Sequence, residues 1–196
     1  MRIQSQLGTT ELDASQADAV VAGLNELYKA LLEKQQIVQS VVIDGQSYYE
    51  GYNDHILNHM QSIREIVIHS VGEEQLMKEI RDELAAYLPK LIQGLDSISE
   101  LFYGEMSNED WGHFSQLTEG MQWTMQCVYG LRNYAERSPS YSALHGSLKQ
   151  FEAFSERHLP ELEAALEQKD YTAVGDQLKY EWPESFEELL EALQNA

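Results

Sequence analysis

The sequence predicts a mainly α protein: an antiparallel helical bundle over residues 73–196, with a small N-terminal α+β element over residues 1–72, the two forming one compact unit. Three observations predict it. Apolar residues recur at steps of three and four along four long stretches. Two short runs before residue 72 are β-branched and end in turn residues. Residues 111–150 hold Glu119 and Glu136 against Arg132, Arg137 and Lys149, in a chain whose formal net charge is −20. A nearly uncharged segment in so charged a chain is expected to be surrounded by protein.

Taken in order, Ser15 with Asp18 three residues on resembles a capping box. It opens a helix through Val20, Leu24, Leu27 and Leu31. Ile37 to Ile43 reads as a strand ending at Asp44-Gly45, a strong turn signal. Asn53 to Met60 reads as a helix, and Ile63 to Val71 as a second strand, with Arg2–Gln6 as a third. One long helix through Ile56, Met60, Ile63 and Val67 is the competing reading of that stretch.

From Glu73 the helical pattern is the strongest in the chain, running from Met77 to Phe102, with Pro89 expected to kink it near Ala85–Leu88. Trp111 to Tyr134 carries two apolar stripes. One is Phe114, Leu117, Met121, Thr124, Val128 and Leu131; the other is Trp123, Cys127, Gly130 and Tyr134. A helix apolar on two faces is buried on two faces, so this segment is expected to be central. A further helix starts near Ser140 and runs to Leu166, with Pro160 as a second kink. Asp110 and Asp170 both look like acidic N-caps. After Asp170 comes a short helix that Pro183 is expected to interrupt, then an amphipathic end carrying Phe186, Leu189, Leu190 and Leu193.

Composition excludes several functions. The acidic balance, 13 Lys and Arg against 33 Asp and Glu, argues against nucleic acid and anionic membrane surfaces, which need cations to neutralise phosphates. No apolar run approaches a membrane span, and Met1-Arg2-Ile3-Gln4 lacks a leader's apolar stretch, so a cytoplasmic location is expected. Cys127 is the single cysteine, which agrees with a reducing compartment.

Candidate chemistry is sparse. His55 and His59 stand at i and i+4 on one helix face, half of a metal site. No Glu follows His55, so the zinc-protease pattern is absent, and His69, His113, His145 and His158 each stand alone in sequence. Glu-x-x-His, the di-iron bundle signature, does not occur. Cys127 lies on an apolar stripe and is expected to have a raised pKa and to pack as a small hydrophobe. No catalytic residue, cofactor or resident metal is expected, and purified protein is expected to carry well under one equivalent of zinc, iron or manganese. Tyr48, Tyr49 and Tyr52 form the most unusual local cluster, of a kind enriched where proteins bind.

Leu101-Phe102-Tyr103-Gly104, Asp110-Trp111-Gly112-His113-Phe114, Leu117 to Trp123, and Asp170 to Glu181 together resemble a pattern in uncharacterised proteins of Gram-positive bacteria. The resemblance covers about a third of the chain and implies a bacterial helical protein, with no activity attached. In size, acidity and helicity alone the chain is similar to bacterial export and flagellar chaperones.

The expected function is a non-enzymatic protein–protein interaction module, binding another protein with a basic surface. Tyr48, Tyr49, Tyr52, Phe186, Leu189, Leu190 and Leu193 are its candidate contacts. The C-terminal helix either docks on its own bundle or is a mobile binding tail. A metal-assisted enzyme using His55 and His59 is the alternative.

Overall fold

The N-terminal strands form a five-stranded sheet in the order β2-β1-β5-β3-β4. Strand β1 (Arg2–Ser5) pairs antiparallel with β2 (Gly8–Glu11) and parallel with β5 (Glu65–Gly72). β5 runs antiparallel to β3 (Gln36–Ile43), which turns back into β4 (Gln46–Tyr48). The structure is a computed structural model and describes residues 1–195. The chain divides into two compact units, Met1–Leu76 and Met77–Ala196. About 69% of it is helical.

In the first unit, two positive-φ residues, Asp44 and Gly45, make the tight turn between β3 and β4. The Asp44 carboxylate then accepts hydrogen bonds from the Arg64 and Glu65 backbone N–H groups, fixing the entry to β5. In β5, Ile66 and Ile68 are buried while Glu65 and His69 are exposed. That period of two decides against the long helix. Helix α1 (Ala17–Glu33) lays Val20, Leu24 and Leu31 into a core with Ile3, Val41, Ile43 and Ile56, the last from α2 (Tyr52–His59). At the exposed edge of that core the Tyr28 hydroxyl donates to Asn53 Oδ1 at 3.0 Å. The capping box at Ser15 does not form. Both its N–H and its hydroxyl turn to the Asp13 carboxylate, and α1 starts later, at Ala17, after an uncapped Gln16.

The second unit begins within α3 (Glu73–Ser99), which buries Leu84, Leu88, Leu91 and Leu95 and continues through Pro89. A 3₁₀ turn, Glu100–Tyr103, follows. Helix α4 (Asn108–Ala135) is capped by Ser107, not by Asp110. Asp110 is the third residue of a full capping box: its carboxylate accepts from the Ser107 N–H and hydroxyl, and its own N–H donates to Ser107 Oγ. The first apolar stripe of α4 is buried as expected. Its second stripe is only partly covered: Tyr134 is buried, whereas Trp123, Cys127 and Gly130 are half-buried.

Helix α5 (His145–Glu167) packs against α4 and against α7 (Trp182–Gln194). Before α7 come the short α6 (Tyr171–Asp176), capped by Asp170, and a π-helical turn, Gln177–Glu181. Pro183 does not break the chain's helical course. The π turn widens the backbone, with the Trp182 N–H reaching five residues back to the Gln177 carbonyl, and Pro183 falls in the first turn of α7, where no N–H is needed. Phe186, Leu189 and Leu193 are 0%, 1% and 2% exposed, so α7 is docked on its own unit.

Candidate functional site

The tyrosine–histidine cluster of the first unit lies where β4 hands over to α2. Tyr48 and Tyr52 are half-buried against the core, whereas Tyr49 is 73% exposed. The His55 ring sits between its neighbours, 4.7 Å from the Tyr48 ring and 4.5 Å from the His59 ring. The two imidazoles are stacked, 27° from parallel. Imidazole lone pairs lie in the ring plane, so stacked rings do not aim at one ion. His59 Nδ1 donates to the His55 carbonyl at 3.0 Å, and the Tyr48 hydroxyl meets His55 Nε2 at 3.3 Å. The Tyr48–His55 contact ties the first turn of α2 to β4.

Of the C-terminal candidates, Phe186, Leu189 and Leu193 belong to the interior, and Leu190 is half-buried. Their apolar face is occupied by the second unit itself: the Phe186 ring lies 5.2 Å from Phe151 of α5 and 5.6 Å from Trp182. A surface docking role is therefore physically closed to Phe186, Leu189 and Leu193 in this fold.

Cys127 is half-buried, and burial with the nearby Glu83 carboxylate pushes its thiol up to about 11. It is a thiol rather than a thiolate at neutral pH, and no nucleophile.

Two features of the second unit were not legible in the sequence. The first is a groove of about 420 Å³ between α4 and α5. Val128 and Phe151 form its buried floor, Met125, Tyr129 and Leu159 its sides, and Gln126 and Glu156 stand on opposite rims. Arg132 lies 5.1 Å over the Tyr129 ring and pairs with Glu152 at 3.1 Å, which stiffens one end. The sequence signal was the solvent-facing Tyr129 beside Met125 on a helix otherwise polar on that side.

The second is a convergence of His158, Glu161 and Glu181, whose ligand-type atoms all lie within 4.8 Å of one another. Among the described residues it is the one group of three or more His, Cys, Asp or Glu gathered in this way. His158 thus does not stand alone: Glu161 follows at i+3, a spacing that was visible, while Glu181 arrives from the π turn, which was not.

Fold and surface together define a mainly helical protein whose second unit exposes an apolar groove on an acidic body. Residues 79–192 match the family model described as a domain of unknown function, DUF8042, and the chain belongs to that family. No curated protein and no solved structure matches the chain.

Proposed function

We propose that this protein is a non-enzymatic interaction module that holds a basic amphipathic helix of another protein in the α4–α5 groove. The observation that carries the reading is the groove's composition: an apolar floor and sides with the exposed Glu156 on the α5 edge, beside Glu152, whose charge Arg132 already pairs. An amphipathic helix laid in such a groove buries its apolar face, and its flanking lysines meet the acidic edge. The wider field supports the same partner. Residues 77–196 carry 22 Asp and Glu against 9 Lys and Arg, a net −13. Such a field steers cations and repels acidic chains.

The reading takes α3, α4, α5 and α7 as an antiparallel bundle, with the groove on its outer face. On the first unit the reading keeps Tyr49 as a contact, because it alone of Tyr48, Tyr49 and Tyr52 is exposed. No helix among the described residues is long and apolar enough to cross a membrane.

The test uses the full chain and a fluorescein-labelled synthetic helix with leucine on one face and lysine on the other. Anisotropy is expected to show saturable binding that weakens as salt rises. The double variant Met125→Asp, Tyr129→Asp is expected to weaken it roughly tenfold or more, through loss of apolar contact worth about 1.4 kcal/mol per tenfold. A charge-reversed Glu184→Lys, Glu188→Lys protein, altered on α7 instead, is expected to lose far less. Equal loss in both proteins, or none in the groove variant, overturns the reading.

A further inference from the structure

We propose that His158, Glu161 and Glu181 form a binding site for one divalent first-row transition-metal ion, of which zinc is the best match. The site lies where α5 faces the π-helical turn. His158 Nδ1 is 3.1 Å from Glu161 Oε2 and 2.8 Å from Glu181 Oε2. At those distances a ring N–H normally points along a hydrogen bond, yet Nδ1 is shielded from solvent and its N–H direction meets neither carboxylate. Close approach without alignment leaves the ring nitrogen and both carboxylates able to turn toward a shared ion. With metal–ligand bonds of about 2.1 Å, adjacent donor atoms stand roughly 3.0–3.4 Å apart, so the Glu161 contact already fits and the Glu181 carboxylate draws back slightly when the ion enters.

The imidazole is held in place to serve as such a ligand. Its side chain is 12% exposed, and its ring stacks on Phe154 at 4.2 Å and 25°. Phe154 in turn meets the fully buried Trp182 edge-on at 5.1 Å. The π turn carries the third ligand, Glu181, whose carboxylate lies opposite His158. One imidazole nitrogen with two carboxylate oxygens suits zinc better than magnesium or calcium, which favour all-oxygen shells. Glu161 and Glu181 are 53% and 47% exposed, which leaves the remaining coordination positions to water and the ion exchangeable.

One contact opposes the ion and thereby makes the inference sharper. The Arg157 Nε–H donates to His158 Nε2 at 3.1 Å. That bond requires a lone pair on Nε2 and hence, in the neutral ring, the proton on Nδ1. Metal binding at Nδ1 moves the proton to Nε2, and the exposed Arg157 side chain must swing away. Removing Arg157 therefore removes a competitor and a repelling charge.

The test titrates the chelator-stripped full chain with zinc chloride, and separately with magnesium chloride, by calorimetry. One equivalent of zinc is expected to bind and magnesium to bind far more weakly. His158→Ala and Glu181→Gln are each expected to weaken zinc binding roughly tenfold or more. Glu161→Gln, on a half-exposed side chain, repeats that test where the other two perturb folding. Arg157→Ala is expected to tighten binding, a result that a purely structural ion pair does not produce. Unchanged zinc affinity in Glu161→Gln and Glu181→Gln, or loss of binding only on replacing His55 and His59, overturns the proposal.

Discussion

Cys127 and Asp110 show how far single side chains answer to their surroundings. Burial raises the Cys127 thiol to about 11, against an ordinary value of 9.0. At pH 8 its thiolate fraction is then about a hundredfold below that of a free thiol, and iodoacetamide is expected to label it slower by about that factor. Labelling at the rate of free cysteine contradicts the half-buried placement. Asp110 moves the other way. Hydrogen bonds from the Ser107 hydroxyl and N–H hold its carboxyl below the ordinary 3.8. Because the folded value is the lower one, its stabilisation is fully present above about pH 4 and is lost as the pH falls through the folded value. Asp110→Asn is therefore expected to lower the melting temperature at pH 7, with the difference shrinking toward pH 3. A difference independent of pH across that range contradicts the capping-box assignment. Ser107 and Asp110 were both in view in the sequence. What misled was the aromatic after Asp110, which made the acid itself look like the cap.

At the scale of elements, glycine separates close packing from idle flexibility. A Cβ on Gly175 of α6 would meet the Ser99 carbonyl and the Tyr103 ring at 3.1 Å, whereas one on Gly130 of α4 would meet nothing within 4 Å. Gly175→Ala is expected to lower the thermal midpoint, and Gly130→Ala to raise stability by about 0.5–1 kcal/mol through helix propensity. The same sign in both variants refutes the assignment of α6 to that tight approach. Elements with a strong period were legible: α3, the first stripe of α4, and the alternation in β5. The missed ones had local reasons. β2 (Gly-Thr-Thr-Glu) is exposed throughout and β4 is three residues long, so neither carries an apolar pattern. The π turn has no sequence signature, and without it Pro183 reads as a break. Helix α7 was read as either docked or mobile, because periodicity shows an apolar face but not what covers it. With Phe186, Leu189 and Leu193 buried, deleting residues 183–196 removes roughly 5–9 kcal/mol of apolar burial. That is comparable to the stability of a whole domain, so the truncated chain is expected to lose the cooperative melting of its second unit. An unchanged melting curve contradicts the docking.

For the whole molecule, the acidity was plain from composition and the mainly helical class from the apolar periodicity, and both shape the proposed role. The site was not. Its parts come from α4 and α5, 20 to 40 residues apart: Met125 and Tyr129 on one helix, Phe151 and Leu159 on the other. Packing the two helices side by side makes the groove, which no single segment encodes. The account rests on that groove holding a basic amphipathic helix, and amide hydrogen exchange on the full chain locates binding most directly. With the leucine–lysine helix bound, slowed exchange is expected in peptides spanning Gln122–Arg132 and Phe151–Leu159, with the α7 segment unchanged. Protection confined to the acidic C-terminal stretch 184–191, with residues 122–132 and 151–159 exchanging as in the free protein, would contradict it.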